Sequence, residues 1–386
     1  MEKSFRFNCR TMVNFGFGAV NALPEYVNKL GGKKILLMCD PGIASTPILG
    51  MVTAILETAG IEFVLFPKVT PEPPVADILK AVSILKKNNC DMCVGLGGGS
   101  AMDVAKGVAM AAGNDGKYEE YAGIGNVPRK GLPCLVIPTT AGTGAEVSII
   151  CIATKGESKI GVVDPLIAAD AALVDPELTM GLPRKMTAET GIDALVHNIE
   201  SFLTITENPL ADTVTLEGIR RIWSYLRRAV SNGADREARY YMAYGSLLGG
   251  YAMNLTDGAA SVHGLAFALG TLFHVPHGLA VSMMTPKTLA AVAKGNYEKF
   301  TAMGKAMGIS CKGLTPTEAA DKIVAEIEQM YRDIGIPLTL RGLNVGITEK
   351  DLDRLTDEAF SQKRVMGHSI HQLKREEVLS IFQATY

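Results

Sequence analysis

Over residues 1–180, short apolar runs rich in β-branched residues alternate with segments in which apolar positions recur every three or four residues. The first pattern is typical of buried strands and the second of amphipathic helices. Strands joined by helices of this length predict a parallel, doubly wound sheet. The predicted strands are 34–39, 62–66, 91–96 and 132–137, and the predicted helices are 46–59, 75–88 and 101–112. Segments 147–154 and 159–163, joined by Lys-Gly-Glu-Ser, predict a hairpin appended to this sheet.

The pattern changes after Pro183. From residue 186 to residue 384 nearly every segment has helical periodicity, and runs of β-branched residues disappear. A chain of 386 residues exceeds what one hydrophobic core usually holds, so a change of pattern here predicts a domain boundary. We therefore expect an α/β domain over residues 1–182 and an all-helical domain over residues 183–386.

Two histidine-bearing segments of the helical half suggest a metal site. Asp193 and His197 are four residues apart, so in a helix their side chains leave the same face one turn apart. His263 and His277 lie in the second segment, and these segments are apolar. Burying ionisable groups there without partners would cost several kcal/mol, and a metal would supply the partner. One carboxylate with three imidazoles suits Fe²⁺ or Zn²⁺; the alternative is a set of ordinary polar helix residues.

A strand, a run of glycines and a helix start follow one another at residues 94–106. Glycines let backbone N–H groups close on a phosphate, and the helix N-terminus adds partial positive charge. A second loop, rich in threonine, follows the predicted strand 132–137. Both loops leave the carboxyl ends of predicted parallel strands, where doubly wound sheets bind ligands. The first loop contains Gly97, Gly98, Gly99 and Ser100, and the second contains Thr139, Thr140 and Thr143.

Plainer alternatives remain open for these segments. Ser100 and Asp103 have the spacing of a capping box, which would need no ligand. Asp40 ends the first predicted strand, where a carboxylate can accept hydrogen bonds from an adenosine ribose and repel a 2′-phosphate. It can equally be a turn residue before Pro41.

The composition argues against several classes of protein. With 38 basic and 40 acidic residues, the chain lacks the basic excess that a nucleic-acid partner requires. Its hydrophobic content is 47%, yet no uncharged apolar run is long enough to predict a membrane span. Residues 1–8 show no secretory signal, and seven cysteines is an odd number. We therefore expect a cytoplasmic protein with reduced thiols.

Together these motifs resemble those of the iron-containing alcohol dehydrogenases, the group III family that includes lactaldehyde reductases and propanediol dehydrogenases. The resemblance covers nearly the whole chain, and the motifs follow in the family's order. They are Val-Asn-Phe-Gly-Phe-Gly (13–18), Gly-Gly-Gly-Ser-Ala-Met-Asp-Val-Ala-Lys (97–106), Thr-Thr-Ala-Gly-Thr-Gly-Ala-Glu-Val (139–147), Asp-Pro-Glu-Leu (175–178) and the two histidine segments. The resemblance implies a dinucleotide-binding N-terminal domain, a helical metal-binding domain and reversible hydride transfer between a nicotinamide and an alcohol.

The resemblance also implies roles for individual residues. The family's metal-ligand positions fall on Asp193, His197, His263 and His277, its pyrophosphate loop on Gly97, Gly98, Gly99 and Ser100, and its second cofactor loop on Thr139, Thr140 and Thr143. Lys159 falls on a lysine that contacts the nucleotide, and Asp40 on the position where an acid favours NAD over NADP.

Two departures from the family pattern concern the substrate. Position 267 is Phe, where many members carry a histidine thought to help proton exchange. The proton would then leave through the cofactor ribose, water or His274, a residue that can also be read as a helix end near Pro276. The family's Asn-Pro-Arg near the C-terminus is replaced by residues 361–371, Ser-Gln-Lys-Arg-Val-Met-Gly-His-Ser-Ile-His. Substrate identity therefore cannot be transferred from relatives.

We expect an NAD-dependent alcohol dehydrogenase that acts on a small primary alcohol or aldehyde, with Fe²⁺ as the first choice of metal and Zn²⁺ as the second. A homodimer or a higher homo-oligomer is expected. The alternative is a related enzyme acting on a polyol or an oxo or hydroxy acid, similar to glycerol dehydrogenase, hydroxybutyrate dehydrogenase or maleylacetate reductase. A dehydroquinate synthase-like lyase would need more Lys and Arg for its anionic substrate. A nucleotide-binding regulator with a structural metal is the non-catalytic alternative.

Overall fold

Strands and helices alternate in the first part of the chain, and helices alone follow. The computed structural model describes residue 5 and residues 9–156, 158–256 and 258–386. The N-terminal unit consists of Cys9–Thr140 and Gly144–Gly181, and the C-terminal unit consists of Leu182–Tyr386 together with Ala141–Thr143. Each unit has its own hydrophobic core.

The apolar runs of the N-terminal unit form the strands of two sheets. In chain order the strands are β1 (Met12–Phe15), β2 (Lys34–Met38), β3 (Glu62–Phe66), β4 (Met92–Gly97), β5 (Gly123–Ile124), β6 (Cys134–Pro138), β7 (Ile150–Lys155), β8 (Ser158–Val163) and β9 (Ala171–Val174). The larger sheet has the order β1-β9-β6-β4-β2-β3, and its neighbouring strands are all parallel. Every residue of β4 and β6 is buried, as expected for strands covered on both faces.

The direction in which successive strands are added to this sheet reverses between β3 and β4. β3 adds to one side of β2, whereas β4, β6 and β9 follow one another on the other side. Such a reversal defines the doubly wound fold, and ligands bind beyond the carboxyl ends of the two strands that flank it. The prediction of a doubly wound parallel sheet is confirmed.

Helices connect these strands, and a small second sheet is attached to them. The helices of the N-terminal unit are α1 (Leu23–Lys29), α2 (Pro41–Ala44), α3 (Pro47–Thr58), α4 (Val75–Lys87) and α5 (Gly99–Gly113). The second sheet has the order β5-β8-β7, and β7 pairs with β8 as the predicted antiparallel hairpin.

Two local predictions were wrong. Asp40 follows the second strand rather than the first, because β1 precedes it as an edge strand of half-buried residues without an apolar run. Ser100 and Asp103 do not form a capping box: α5 begins at Gly99, and no side chain caps its first turn. The Asp103 carboxylate is instead bound to the Ile152 amide and to Lys106.

The C-terminal unit is helical, as predicted. Its helices are α6 (Arg184–Phe202), α7 (Pro209–Ser231), α8 (Arg236–Leu255), α9 (Ser261–Phe273), α10 (His277–Val292), α11 (Tyr297–Ala306), α12 (Pro316–Ile334), α13 (Leu352–Ser361), α14 (Lys363–His368) and α15 (Arg375–Thr385). The apolar faces of α6, α9 and α10 contribute to one core cluster, so these helices hold their polar residues among buried neighbours. Within the described ranges, every helix is too short or too polar to cross a membrane.

Candidate metal centre and nucleotide loops

Helix α6 brings three ionisable side chains to one buried face. Asp193, His197 and Glu200 are spaced by four and then three residues, so they project from the same side of the helix. Their exposed fractions are only 2%, 6% and 3%. A buried helix face with two carboxyl groups needs positive partners, since isolated buried charges are costly.

Helices α9 and α10 supply two further histidines. His263 is buried near the start of α9, and His277 is the first residue of α10. The turn between the helices is short because His274 takes a left-handed conformation (φ 53°) and Pro276 precedes the next helix. The side chain of His277 remains 35% exposed, so the cluster is open on this side.

The imidazoles converge on one carboxylate oxygen. Measured from Asp193 Oδ1, the Nε2 atoms lie at 3.4 Å for His263, 3.6 Å for His277 and 3.8 Å for His197. A tetrahedral metal with ligands at about 2.0–2.2 Å separates its ligand atoms by roughly 3.4 Å. Asp193, His263 and His277 can place one ligand atom each within 4.8 Å of one another.

Two atoms at the centre of this cluster lack hydrogen bonds. Asp193 Oδ1 and His263 Nε2 are both buried and have no hydrogen-bonding partner among the described residues. Buried polar atoms without partners are rare in folded proteins, and each one calls for an explanation. Their positions and chemistry fit a bound divalent cation.

Glu200 orients the ring of His263. Its carboxylate accepts a hydrogen bond from His263 Nδ1 at 2.5 Å and further bonds from the amides of Ala260 and Val262. With Nδ1 donating to Glu200, Nε2 is turned toward Asp193. Histidine ligands of metals commonly have a carboxylate in this place.

The pKa values of the cluster are set by burial and by neighbouring charged groups. Burial raises the pKa of Asp193, but the imidazoles of His197, His277 and His263 outweigh burial and hold that pKa below its ordinary value. Burial lowers the pKa of His263, but Glu200 and Asp193 together raise it to about 9. Burial also lowers the pKa of His197 and prevails over the attraction of Asp193. The two carboxyl groups thus favour a positive charge on His263, whereas burial disfavours one on His197.

An aromatic side chain forms one wall of the cluster. The ring of Phe267 stacks on that of His277 with centroids 5.8 Å apart, and it meets the ring of His263 edge-on at 6.2 Å. His197 and His263 also stack, with centroids 4.6 Å apart. Position 267 therefore adjoins two of the candidate metal ligands.

The glycine loop and the start of the threonine loop lie side by side in the N-terminal unit. Gly97 pairs with Pro138 at the carboxyl ends of β4 and β6, and the Thr139 amide donates to the Gly97 carbonyl at 2.9 Å. The backbone of Gly97 has φ 149°, and a Cβ atom there would lie 2.8 Å from the Cβ of Ala101. Position 97 thus requires glycine. Both loops leave the carboxyl ends of parallel strands, as predicted, and these strands are neighbours in the sheet.

Asp40 lies beside the glycine loop. Its Oδ1 accepts a hydrogen bond from the Ile43 amide and caps α2, whereas its Oδ2 would be 3.2 Å from a Cβ atom on Gly97. Oδ1 of Asp40 thus caps the turn that follows β2. Oδ2 lies beside Gly97 at the carboxyl end of β4, where the strand order reverses.

Lys159 and Thr143 occupy different surroundings. Lys159 of β8 forms an ion pair with Glu72, with Nζ and Oε1 2.7 Å apart. The loop that holds Glu72 is fastened to β7, since the Thr154 hydroxyl donates to the Glu72 carbonyl. Thr143 belongs to the short segment Ala141–Thr143 that clusters with the C-terminal unit. In the same segment, the Gly142 carbonyl faces Nδ1 of His197 at 3.3 Å.

Comparison with known proteins identifies the family. Residues 10–176 match the model of the iron-containing alcohol dehydrogenases, and residues 187–386 match the C-terminal model of the same family. The chain belongs to the iron-containing alcohol dehydrogenase family. The resemblance drawn from the sequence motifs is confirmed, and so is the assignment of the chain as an alcohol dehydrogenase.

Relatives within this family act on different alcohols. The long-chain-alcohol dehydrogenase 1 of Geobacillus thermodenitrificans is 37% identical over 96% of this chain and 94% of its own length. The NAD-dependent methanol dehydrogenase of Bacillus methanolicus is 33% identical over 89% and 90%. A solved 1,3-propanediol oxidoreductase shares the fold with a TM-score of 0.95 and 33% identity, and both chains are covered completely. Their names range from long-chain alcohols to methanol, so family membership alone leaves the substrate open.

The structure brings the four predicted metal ligands together but leaves the predicted catalytic residue apart from them. Asp193, His197, His263 and His277 are brought together in the C-terminal unit. His274 is an exposed helix end, and among the described residues the ring contacts of this cluster do not include it. Sequence reasoning missed Glu200, although its spacing from Asp193 and His197 places it on their helix face.

Proposed function

We propose that this family member is an NAD-dependent, metal-dependent dehydrogenase that interconverts small primary alcohols and their aldehydes. The observation that carries the proposal is the convergence of imidazole Nε2 atoms on the unpartnered, buried Asp193 Oδ1. A metal held here would need one further coordination position for a substrate, and the 35% exposure of the His277 side chain leaves the cluster accessible.

The ligands in this proposal are Asp193, His197, His263 and His277, with Fe²⁺ as the preferred metal and Zn²⁺ as the alternative. When bound, such an ion supplies Lewis acidity toward the oxygen of an alcohol or aldehyde. The family name favours iron, and the ligand set suits either ion.

The surrounding side chains prepare the site for its ligand. Glu200 holds the Nδ1 proton of His263 and so directs the lone pair of Nε2 toward the centre. Asp193 stays ionised, because its pKa lies below the ordinary value. Phe267 excludes water from one side of His277 and leaves an apolar surface for the carbon chain of a substrate. The substrate proton would leave through the cofactor ribose, water or His274.

The cofactor in this proposal is NAD(H), which supplies or accepts the hydride. Its pyrophosphate would lie on Gly97, Gly98, Gly99 and Ser100, with further contacts from Thr139, Thr140, Thr143 and Lys159. The support is that the glycine loop follows β4 at the reversal of the sheet and opens the N-terminus of α5. Asp40 beside this loop would bind the adenosine ribose and disfavour a 2′-phosphate.

The location and assembly of the enzyme are part of the same proposal. All seven cysteines are free thiols, which suits a reducing compartment such as the cytoplasm. We propose a homodimer or a higher homo-oligomer, and sedimentation of the purified protein would measure its size.

A direct assay tests the proposed function. The protein is loaded with Fe²⁺ or with Zn²⁺, and NADH oxidation is followed by absorbance with butanal, lactaldehyde, an oxo acid and a hydroxyketone. We expect turnover with the aldehydes at rates well above those with the oxo acid. Turnover with the acid or the ketone alone would assign the chain to the related enzymes of those substrates. NADH binding without turnover on any member of the panel would favour a regulator.

A further inference from the structure

A cavity of about 360 Å³ lies in the C-terminal unit, bounded by the start of α6, by α10 and by the end of α12. This volume is within the range of pockets that hold small molecules. The walls combine charged and apolar side chains. The charged residues are Arg184, Lys185 and Glu189 of α6, and the apolar residues include Leu279, Ile336 and Pro337. The cavity therefore offers both signs of charge beside an apolar surface.

Glu189 has a buried carboxylate oxygen that lacks a hydrogen bond. Its side chain is 12% exposed, and its Oε1 has no hydrogen-bonding partner among the described residues. The Lys185 ammonium lies 3.9 Å from Oε1, which is beyond hydrogen-bond distance. Burial raises the pKa of Glu189, and Lys185 opposes this only in part. Because buried polar atoms normally have partners, Oε1 is an acceptor that a ligand with a cationic donor would satisfy.

Arg184 and Lys185 bring positive charge to the same cavity. Both residues are exposed, so they stand where the cavity meets solvent. The pair of Lys185 with Glu189 is long, and the lysine side chain is 77% exposed, so the pair contributes little and is readily exchanged for a closer partner. Guanidinium and ammonium groups bind carboxylates through strong, charge-assisted hydrogen bonds. An anionic group of a ligand would therefore lie beside these two side chains.

We propose that this cavity binds an α-amino acid with an apolar side chain. The ligand ammonium donates to Oε1 of Glu189, and the ligand carboxylate accepts from Lys185 and Arg184. Lys185 Nζ and Glu189 Oε1 are only 3.9 Å apart. Because an α-amino acid carries its two charged groups on one carbon, both groups meet their partners at once, and the apolar side chain is left to pack on Leu279 and Ile336 of the cavity wall. This site is additional to the candidate metal centre and the nucleotide loops, and its ligand is independent of the alcohol and the cofactor.

A series of three ligands tests the two charged groups separately. Leucine is titrated calorimetrically into the full, metal-loaded chain, alongside isocaproate, which lacks the ammonium, and isoamylamine, which lacks the carboxylate. We expect leucine to bind with a Kd of about 1 mM or lower, an affinity within reach of a ligand of this size. Each analogue should bind about tenfold or more weakly than leucine, because it leaves one charged partner of the cavity unsatisfied.

Hydrogen exchange and a pair of variants assign the binding to this cavity. Leucine should slow amide exchange over residues 184–190 and 334–343, which contain most of the lining. Glu189→Gln keeps the size of the side chain and removes its charge, so it should weaken leucine binding about tenfold or more. Glu328→Gln is the matched control, because Glu328 also pairs with a cation four residues away on its helix, Arg332, but does not line the cavity. This control should bind leucine within about twofold of the wild type.

Binding to the cavity must be separated from binding to the proposed metal, because α-amino acids are also metal chelators. The titration is therefore repeated with His277→Ala, in which the metal is expected to be lost. Leucine should bind this variant with the affinity of the wild type. If Glu189→Gln does not fold, Lys185→Met, at an exposed position, takes its place. It should weaken the binding of leucine and isocaproate but not that of isoamylamine.

Four outcomes would each overturn the inference. The first is the absence of leucine binding to the wild type at concentrations up to about 10 mM. The second is equal affinity for leucine and isocaproate, or wild-type affinity for leucine in Glu189→Gln. The third is loss of leucine binding in His277→Ala or in Glu328→Gln. The fourth is slowed exchange only outside residues 184–190 and 334–343, which would place the leucine elsewhere on the protein.

Discussion

Asp193 in the candidate metal centre and Glu146 beside the threonine loop are both buried carboxyl groups, and their pKa values are shifted in opposite net directions. At Asp193, three imidazoles overcome the cost of burial and hold the pKa below its ordinary value. At Glu146, which is 3% exposed, burial prevails over its own amide and over Lys106 and raises the pKa to about 7. The ammonium of Lys106 is already bound to two carbonyls and to Asp103. Charged neighbours thus favour the ionised form of Asp193, whereas burial favours the protonated form of Glu146.

The difference extends to the atoms that would bind ligands. The candidate metal centre consists of side chains on three helices, so removing one imidazole would remove a proposed ligand. The glycine and threonine loops would offer mainly backbone groups, which a single side-chain substitution does not remove. We therefore expect single substitutions to abolish function in the first region and to weaken or redirect it in the second.

The largest effect is expected from His263→Ala or His277→Ala. Either change should weaken metal binding by more than ~100-fold, beyond the typical loss for a residue that merely supports a ligand, and it should remove alcohol oxidation. NADH binding should remain largely intact, because the glycine and threonine loops are untouched. Metal analysis, turnover and NADH titration measure these effects. His371→Ala is a matched control, since His371 pairs with Glu377 outside the cluster. Full metal occupancy with full turnover in His277→Ala would refute the ligand assignment.

The buried carboxyl group of Glu146 should make stability depend on pH. Because burial raises the folded-state pKa of Glu146 from 4.5 to about 7, its favourable contribution is complete below pH 4.5 and is lost as the pH rises to about 7. At pH 8 the isosteric Glu146→Gln should therefore be more stable than the wild type by up to about 3 kcal/mol, and near pH 4.5 this advantage should vanish. Denaturant unfolding at several pH values checks this. Glu25→Gln, at an exposed position of α1, should show no such pH-dependent difference.

The sequence predicted strands and helices of the N-terminal unit wherever their patterns were long, and it predicted the helical character of the C-terminal unit without the bounds of its helices. Strand Glu62–Phe66 was predicted residue for residue, and α4 within one residue of its end. β1 and β9 were missed because four-residue segments with Asn or paired Ala carry too little apolar signal. The parallel order of the strands follows from their alternation with helices.

The candidate site was less uniformly predictable. Asp193 and His197 are visible in the sequence because helical spacing is a local property. Glu200 has the same local signal, but a glutamate on a helix is usually solvated. Its role depends on His263, which follows 63 residues later and meets it only through the packing of α6 and α9. Asp103 is a similar case, since its partners Lys106 and Ile152 replace the cap that local spacing suggested.

A smaller loss is expected when the orientation of one ligand is disturbed. Glu200→Gln retains the size of the side chain but weakens its bond to His263 Nδ1, and it should reduce metal affinity by about 10–100-fold. Glu200→Ala should reduce it further, because the amides of Ala260 and Val262 then also lose their acceptor. Competition with a chelator measures the affinity of both variants. Equal metal affinity in the wild type and both variants would show that packing alone orients His263.

Cofactor selectivity should change by about one order of magnitude. A carboxylate at Asp40 should favour NAD(H) over NADP(H) by roughly tenfold or more through repulsion of the 2′-phosphate. Asp40→Gly should lower this preference for NAD(H) and leave the metal content unchanged. The cofactor loops and the candidate metal centre would then respond to substitution independently. The ratio of kcat/KM for the two cofactors is the measurement. Equal values in the wild type would show that Asp40 serves only as the cap of α2.

The smallest effect is expected at Phe267, which would lie beside the substrate if the candidate metal centre binds it. Its ring stacks on His277 and contacts His263, so it makes this side of the centre apolar and offers no proton acceptor. We expect the wild type to prefer butanal and lactaldehyde to glycerol, and to reduce aldehydes faster than it oxidises alcohols near neutral pH. Phe267→His should shift kcat/KM toward glycerol by a few-fold, whereas Phe273→His at the end of the same helix should leave the preference unchanged.

Glycerol as the best substrate of the wild type would contradict this interpretation. An unchanged preference in Phe267→His would mean that the ring only packs against its neighbours, and that selectivity for the alcohol is set by residues beyond the metal ligands and their aromatic wall.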